Sequence, residues 1–518
     1  MLIDDALTHH ERNQPHRPAI FDGDDVWTYA KLGEMRRRCA SLLLALGVKP
    51  GDRVALLSEN TPWFLVALFA SVRIGAIFVP LNYRLSGEEL SDVLTKASVR
   101  VLLAQPSQLE RVLAHTPAFA GCSIVTLAPC KGFPDIDDLI GQASDRPAVV
   151  TVGRDDPAML QYTSGTTGES KGVISIQSAW VQSCLIQPPL KRFTDKTVFL
   201  GILPMCYTGG TKAAMEVIFA GAAIVIVQRF DEEAALAAVQ RYNVTNAFVV
   251  PTMLYRLMDA QAASPHNLSS LKFINSGGAP LNEDRLRQLV EVLGCEFTQS
   301  YGMTEIAGGS VTFAGPEDHF VRGDVSPKLK SVGRPLIDCD IKLVDDDGRE
   351  VARGEPGEVF VRTRRALIGY WGLPASETPV DQDGYYRTGD IARYDEDGYL
   401  FIVDRKKDMI ISGGLNIYSK EVEVAIERHD AVDAAYVVGA PDPQWGESIL
   451  AFVVAHEGRS LTEAEVQDWC ADKLGRYKRP RTVVFLSKAD IPLNWGGKVL
   501  KRTLRDTYLQ GLRAPAAS

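Results

Sequence analysis

A chain of 518 residues, 46% apolar and 23% charged, has the composition of a soluble globular protein and the length for about three or four domain-sized units. Its 56 Lys and Arg stand against 65 Asp and Glu, a net charge of −9 that argues against a general nucleic-acid coat and leaves only a local basic groove open. The eight cysteines form no C-x-x-C pair and the eight histidines no H-E-x-x-H spacing, so reduced thiols and no protein-caged transition metal are expected.

The opening MLIDDALTHHER has neither a basic nor an apolar leader region, so a cytoplasmic chain without a targeting peptide is expected. Next, ERNQPHRPAIFDGDDVWTYAKLGEMRRRCASLLLALG predicts two short strands and an amphipathic helix, and DRVALLSEN, IFVPLN and VRVLLAQ predict buried strands separated by helices. The most apolar stretches, WFLVALFASVRIGAIFVPL and AAMEVIFAGAAIVIVQRF, carry Arg73 and Glu216 and read as buried helix-plus-strand segments, not membrane spans. VFLGILP, AAIVIVQ, NAFVVPT and LKFINSGGAP continue the alternation, the pattern of α/β layers on parallel sheet. Ligands gather at the carboxyl ends of such strands, so LPMCYTGG, VVPTM, NSGGAP and QSYGMTE are expected to border one crevice. After about residue 330, short strands with D-G turns predict a β-rich subdomain. From about residue 405, EVEVAIERHDAVDAAYVVGAPDPQWGESILAFVVA predicts a small α+β domain with its own core.

YTSGTTGESKGV, residues 162–173, packs glycines and hydroxyls around Lys171. Such a stretch is either a flexible connector or a phosphate cradle, in which glycines let N–H groups converge on an anion and the lysine adds a point charge. Ser170-Lys171-Gly172 does not fit Walker A, which needs Ser or Thr directly after Gly-Lys. GESKG spells the G-x-S-x-G elbow, but Ser170 follows a glycine-rich loop and precedes the strand-like VISI, the reverse of the strand-to-helix setting an elbow needs.

Taken together, YTSGTTGESKGV, NSGGAPL, QSYGMTE, YYRTGD, DRKKDMIISGGLNIY and NWGGK resemble the adenylate-forming superfamily of acyl- and aryl-CoA synthetases, firefly luciferase and peptide-synthetase adenylation domains. The resemblance spans about residues 10 to 505. It implies an α/β fold with a large N-terminal domain of layered α/β subdomains, residues 1–404 with the β-rich part at about 330–404, a hinge at 405–407 and a small mobile α+β domain at 408–518. It further implies two steps. A small-molecule carboxylic acid attacks the α-phosphate of ATP to give an acyl-adenylate and pyrophosphate, and then a thiol, usually coenzyme A, displaces AMP.

By the same resemblance, Thr163, Ser164, Gly165, Thr166, Thr167 and Gly168 donate to the phosphates with help from Lys171, a role suited to a transfer governed by positioning and charge. Gly277, Gly278 and Ala279 let adenine lie against backbone, and Ser300, Tyr301, Gly302 and Thr304 offer it a ring face and a phosphate-binding hydroxyl. Glu305 is the expected Mg²⁺ ligand. Asp390 accepts from the ribose, Arg405 reaches ribose or phosphate, and Lys407 is the hinge residue. Lys498 bridges the acyl carboxylate and the α-phosphate, offsetting their repulsion. Gly413, Gly414 and Trp445 line a pantetheine tunnel, with Tyr477, Arg479 and Arg481 at the nucleotide end of coenzyme A.

Cys206, Tyr207, Thr208, Gly209, Val250, Ser276, Gly302, Met303 and Ala307 are expected to wall the acyl site; mixed in size and mostly uncharged, they suit a modest aromatic (benzoate- or hydroxycinnamate-like) or medium-chain aliphatic acid. Tyr207 stands where many relatives have histidine, and gating is the role left to it. Other acceptors, a carrier protein or an amine, and a non-catalytic nucleotide sensor are the competing readings. No nucleic-acid partner and no stable membrane insertion are expected; a homodimer is compatible with the sequence.

Overall fold

The computed structural model describes residues 1–114, 121–164, 170–278, 288–289, 292–321, 324–413, 415–493 and 499–513. The chain divides into two compact units, one of residues 1–340 and 362–386, the other of residues 341–361 and 387–518. In compactness, therefore, the strands of 341–361 and 387–405 go with the C-terminal residues, whereas the sequence reading drew its boundary at 404.

The first unit is built on two sheets. One has seven strands, with Ile77–Leu81, Arg53–Leu57, Val101–Ala104 and Ser123–Thr126 running parallel. Ile77–Leu81 is buried along its length, which is why it reads as an unbroken apolar run. The other sheet has nine strands, and at its centre Val198–Gly201, Asn246–Val249, Phe273–Gly277 and Glu296–Gly302 lie side by side and parallel. A core that takes Leu56 and Phe78 from one sheet and Phe199 and Ile224 from the other encloses the helices Tyr29–Ala45, Pro62–Arg73 and Thr208–Phe219. The remaining faces are covered by Gly87–Ala97 with Pro106–Leu113 and by Glu232–Tyr242 with Pro251–Ala263. The two most apolar stretches form helix and strand, Pro62–Arg73 with Ile77–Leu81 and Thr208–Phe219 with Ala223–Ile226. Among the described residues no helix is long and apolar enough to cross a membrane.

The second unit contains most of a four-stranded sheet that runs Asp340–Val344, Gly357–Arg362, Tyr386–Tyr394, Leu400–Arg405. It also contains a five-stranded sheet around the hairpin Val432–Asp442 and Gly446–Ala455, covered by helix Ser419–Glu427, whose Val422 and Ile426 share a core with Ile417, Val437 and Ile449. The expected small α+β core is thus present. All eight cysteines are unpaired.

Candidate active site

The two ends of the glycine-rich stretch lie on paired strands. Pro157–Ser164 pairs antiparallel with Ser170–Ile176, Thr163 opposite Lys171, so Ser170 opens a strand and the nucleophile-elbow reading fails. Gly165, Thr166, Thr167 and Gly168 lie outside the described residues, as does the Ser164 side chain. The second of these strands is tied to residues 367–371: Ile368 N–H donates to Ile174 O at 3.1 Å and Trp371 N–H to Gly172 O at 2.7 Å, while Leu367 N–H reaches Glu305 O at 2.7 Å. Tyr370 is thereby set between two motifs. The Lys171 ammonium is 5.2 Å from its ring centroid, and its hydroxyl donates to Glu305 Oε1 at 3.5 Å and meets the Tyr386 hydroxyl at 3.3 Å. Burial, with the Glu305 charge adding, pushes the Tyr370 phenol up to about 12. It stays a donor beside the carboxylate. Met303 packs against the same group, with Val173, Leu367, Tyr370 and Tyr386.

Four parallel strands bring their carboxyl ends to one sheet edge, which carries 202–207, Val250, Gly277 with Gly278, and Gly302 with Met303. Gly302 sits at a register shift, where an added Cβ would be 2.3 Å from Gly309 O; only the absence of a side chain lets the chain pass there. Thr208 Oγ1 and Thr304 Oγ1 are 2.9 Å apart, joining two motifs far apart in the chain. The turn before Thr208 is held by Asn60, whose amide donates to Leu203 O at 3.0 Å and accepts from Met205 N–H at 2.7 Å.

Tyr207 hydroxyl donates to Asn82 Oδ1 at 3.1 Å, and burial raises its phenol above the ordinary value. A group so far from neutrality cannot substitute for an imidazole as a titrating residue. Tyr207→Phe is expected to leave the pH dependence of kcat/KM unchanged between roughly pH 6 and 9, and Tyr207→His to add an inflection near about 6.5. A profile that loses an inflection in the phenylalanine variant would refute this.

Phe248 walls the edge. A Cβ on Gly209 would meet its ring at 3.2 Å and one on Gly277 at 3.7 Å. Ala307 is buried, and a Cβ on the next residue, Gly308, would meet Thr208 Cγ2 at 2.5 Å. Ser300 hydroxyl donates to Asn275 Oδ1 at 3.4 Å; Tyr301 is half-buried on the adjoining residue. Val250 lies 3.9 Å from the Cβ position of Gly278. Two expected pocket residues are not gathered with these. Ser276, with no hydrogen-bond partner for its hydroxyl, alternates to the strand face opposite Gly277, the face of Ile274 in the helix-covered core. Cys206 packs against the core of the seven-stranded sheet, where burial raises its thiol to about 12. Ala279 lies outside the described residues.

In the second unit, Asp390 and Arg405 face each other across a ladder, Nε to Oδ1 3.1 Å, the carboxylate buried and the guanidinium half-exposed. Lys407 stands in the turn Lys406–Asp408 that follows. Gly413 has φ +58, and a Cβ there would be 2.7 Å from Trp445; Arg481 stacks on the same indole at 5.2 Å and pairs with Asp442 at 3.3 Å. Tyr477 is exposed beside Lys478. Arg479 turns elsewhere: its guanidinium donates to Leu474 O at 3.0 Å and Ala471 O at 2.7 Å, closing the end of helix Glu463–Ala471. Gly414 and Lys498 lie outside the described residues.

The family described as AMP-binding enzyme matches residues 7–371, and the AMP-binding enzyme C-terminal domain matches residues 421–498. The chain belongs to the AMP-binding enzyme family. It is 35% identical over 500 residues to a feruloyl-CoA synthase of Amycolatopsis sp, covering 96% of this chain and 97% of that one. It is 33% identical over 509 residues to an indoleacetate–CoA ligase of Aromatoleum aromaticum, covering 98% of each. ATP-bound MatB from Rhodopseudomonas palustris superposes with a TM-score of 0.89 at 32% identity, covering 98% of this chain and 99% of that one. This family member is an acid–CoA ligase that uses ATP and coenzyme A and works through an acyl-adenylate.

Among the described residues no three His, Cys, Asp or Glu side chains cluster to hold a metal. Glu305 by itself fits Mg²⁺, which takes one or two carboxylates and draws its other ligands from substrate phosphates and water. Sequence reasoning missed Tyr370, Phe248, Asn82 and Asn60. Only the GYW at 369–371 offered a local signal, an aromatic pair after a glycine.

Proposed function

We propose that this chain activates an aromatic acid of about hydroxycinnamate size in preference to a medium-chain aliphatic one. The observation that carries this reading is the Phe248 ring lying within 3.2 Å of a Cβ position at Gly209 and 3.7 Å of one at Gly277, a flat wall with two side-chain-free positions against it. The close approach fixes the ring as a flat aromatic wall, and a planar acid can stack on the face of such a wall. The names of the feruloyl-CoA synthase and the indoleacetate–CoA ligase support the same class.

In this reading Thr163 to Gly168 and Lys171 hold the phosphates, and Gly277, Gly278, Ala279 and Ser300 to Thr304 hold the adenosine. Asp390 takes the ribose hydroxyls, its carboxylate oriented by Arg405 at 3.1 Å. Glu305 holds Mg²⁺, which supplies neutralisation of phosphate charge. Lys498 brings the acid carboxylate to the α-phosphate. Lys407 is the hinge between the half-reactions, and Gly413, Gly414, Trp445, Tyr477 and Arg481 receive coenzyme A. The enzyme is cytoplasmic, with no nucleic-acid partner and no membrane insertion, and is compatible with a homodimer.

The test is acid-dependent exchange of labelled pyrophosphate into ATP over an acid library, with thioester formation followed on adding coenzyme A. Aryl-propanoic and aryl-acrylic acids are expected to give the highest kcat/KM. Higher values for six- to ten-carbon aliphatic acids would overturn the assignment.

A further inference from the structure

Helix Thr208–Phe219 begins at the site and carries a charge cluster one turn below it. Lys212 follows Thr208 by four residues, on the same helix face and about 6 Å further along the axis. It is 3% exposed, its Nζ 3.2 Å from Glu216 Oε1 and also bonded to the amide oxygen of Gln187. Lys191, equally buried, is 2.7 Å from Glu216 Oε2. Two ammonium groups thus share one fully buried carboxylate. Arg365, 0% exposed and paired with Asp338 at 2.5 Å, adds to the positive field at Lys212, and its Nη1 is buried without a hydrogen-bond partner. Three cations therefore face two carboxylates.

Burying an unbalanced cation costs several kcal/mol after relaxation, so the cluster is under pressure to close its charge by losing a proton or by meeting an acceptor. The imbalance is felt at Lys212. Burial draws its ammonium down to about 7 against the pull of Glu216, with Lys191 and Arg365 lowering it further.

The cluster adjoins the acyl wall through one ring. Lys191 Nζ lies 5.7 Å from the centroid of Phe248, the side chain that touches the Gly209 and Gly277 positions. Level with Phe248 on the neighbouring strands stand Asn275 and Thr298, both buried, the Asn275 amide donating to Thr298 Oγ1 at 2.9 Å. The groups packed level with and behind Phe248 are therefore polar, where a hydrocarbon tail would call for apolar neighbours.

Resting on the acid–CoA ligase reading of the site, we propose that Lys191 and Lys212 form its far-end specificity subsite, recognising an oxygen acceptor, phenolic or carboxylate, carried on the acid remote from the carboxyl that is activated. Asn275 and Phe248 set the distance to it.

The test compares, with the full-length protein, pyrophosphate exchange supported by phenylpropanoate and by its para-hydroxy and para-carboxy derivatives. The oxygen-bearing acids are expected to exceed the plain one by about 10-fold or more in kcat/KM, as a site built for hydrogen bonding rejects an analogue that lacks the group. The larger of the two arms identifies a neutral or an anionic acceptor. In Lys212→Met and in Lys191→Met that ratio is expected to fall toward one. If Lys212→Met does not fold, Lys191→Met and the unmodified protein still decide. A plain acid equal to or better than both derivatives overturns the subsite, as does a ratio that survives both substitutions. Exchange with no acid at all overturns the ligase reading and the subsite with it.

Discussion

Lys498→Ala is expected to reduce acyl-adenylate formation by about 100- to 1,000-fold while leaving thioester formation from a supplied acyl-adenylate largely intact. The first half-reaction brings a carboxylate against a triphosphate. Two unit charges about 4 Å apart repel by roughly 4 kcal/mol at the effective dielectric of a protein surface, and a positioned ammonium offsets a term of that size. In the second half-reaction the acid is already a neutral mixed anhydride at its carbonyl, and that repulsion is gone. The measurement is pyrophosphate exchange set beside coenzyme A acylation from synthetic acyl-adenylate. Equal losses in the two assays would remove Lys498 from the bridging role.

Gly302→Ala is expected to lower stability by about 2–3 kcal/mol, a drop of several degrees in Tm, and to cut kcat/KM for ATP by about 100-fold. The new Cβ would stand 2.3 Å from Gly309 O and 2.8 Å from Ser310 Cα. Both obstacles are backbone, so no side chain can swing aside; the strands Glu296–Gly302 and Ser310–Ala314 must part at their register shift. The residues that follow, Met303, Thr304 and Glu305, move with them, which takes Thr304 from Thr208 and Glu305 from Tyr370. Gly141→Ala is the control. Nothing lies within 4 Å of its Cβ position in helix Ile136–Gln142, so it should be neutral or slightly stabilising. Thermal unfolding and ATP kinetics of the two variants check the pair, and near-equal behaviour would show that the strands yield more easily than the geometry implies.

The contrast between these two substitutions shows what was legible in the chain. Lys498 is named by a short motif, NWGGK, whose meaning depends on resemblance and not on any contact. Gly302 is also visible in QSYGMTE, but the reason it must be glycine is the carbonyl of Gly309, reached only when two strands pair out of step.

The sequence by itself determined the α/β alternation, the parallel strands and the family, because apolar periodicity and runs of glycine and hydroxyl residues are local chemistry written in consecutive positions. It also placed 204–208 and 277–278 at strand ends, since each follows an apolar run, while 301–305 stood out only through the motif QSYGMTE. What only the tertiary structure decided are the pairings between distant segments. Tyr370 joins Lys171 to Glu305, Asn82 meets Tyr207, Arg479 closes a helix end, and Lys191 and Lys212 come to share Glu216. Each of these depends on which strand edge or helix face packs against which. That choice is made by burial summed over the whole core, and no window of neighbouring residues contains it.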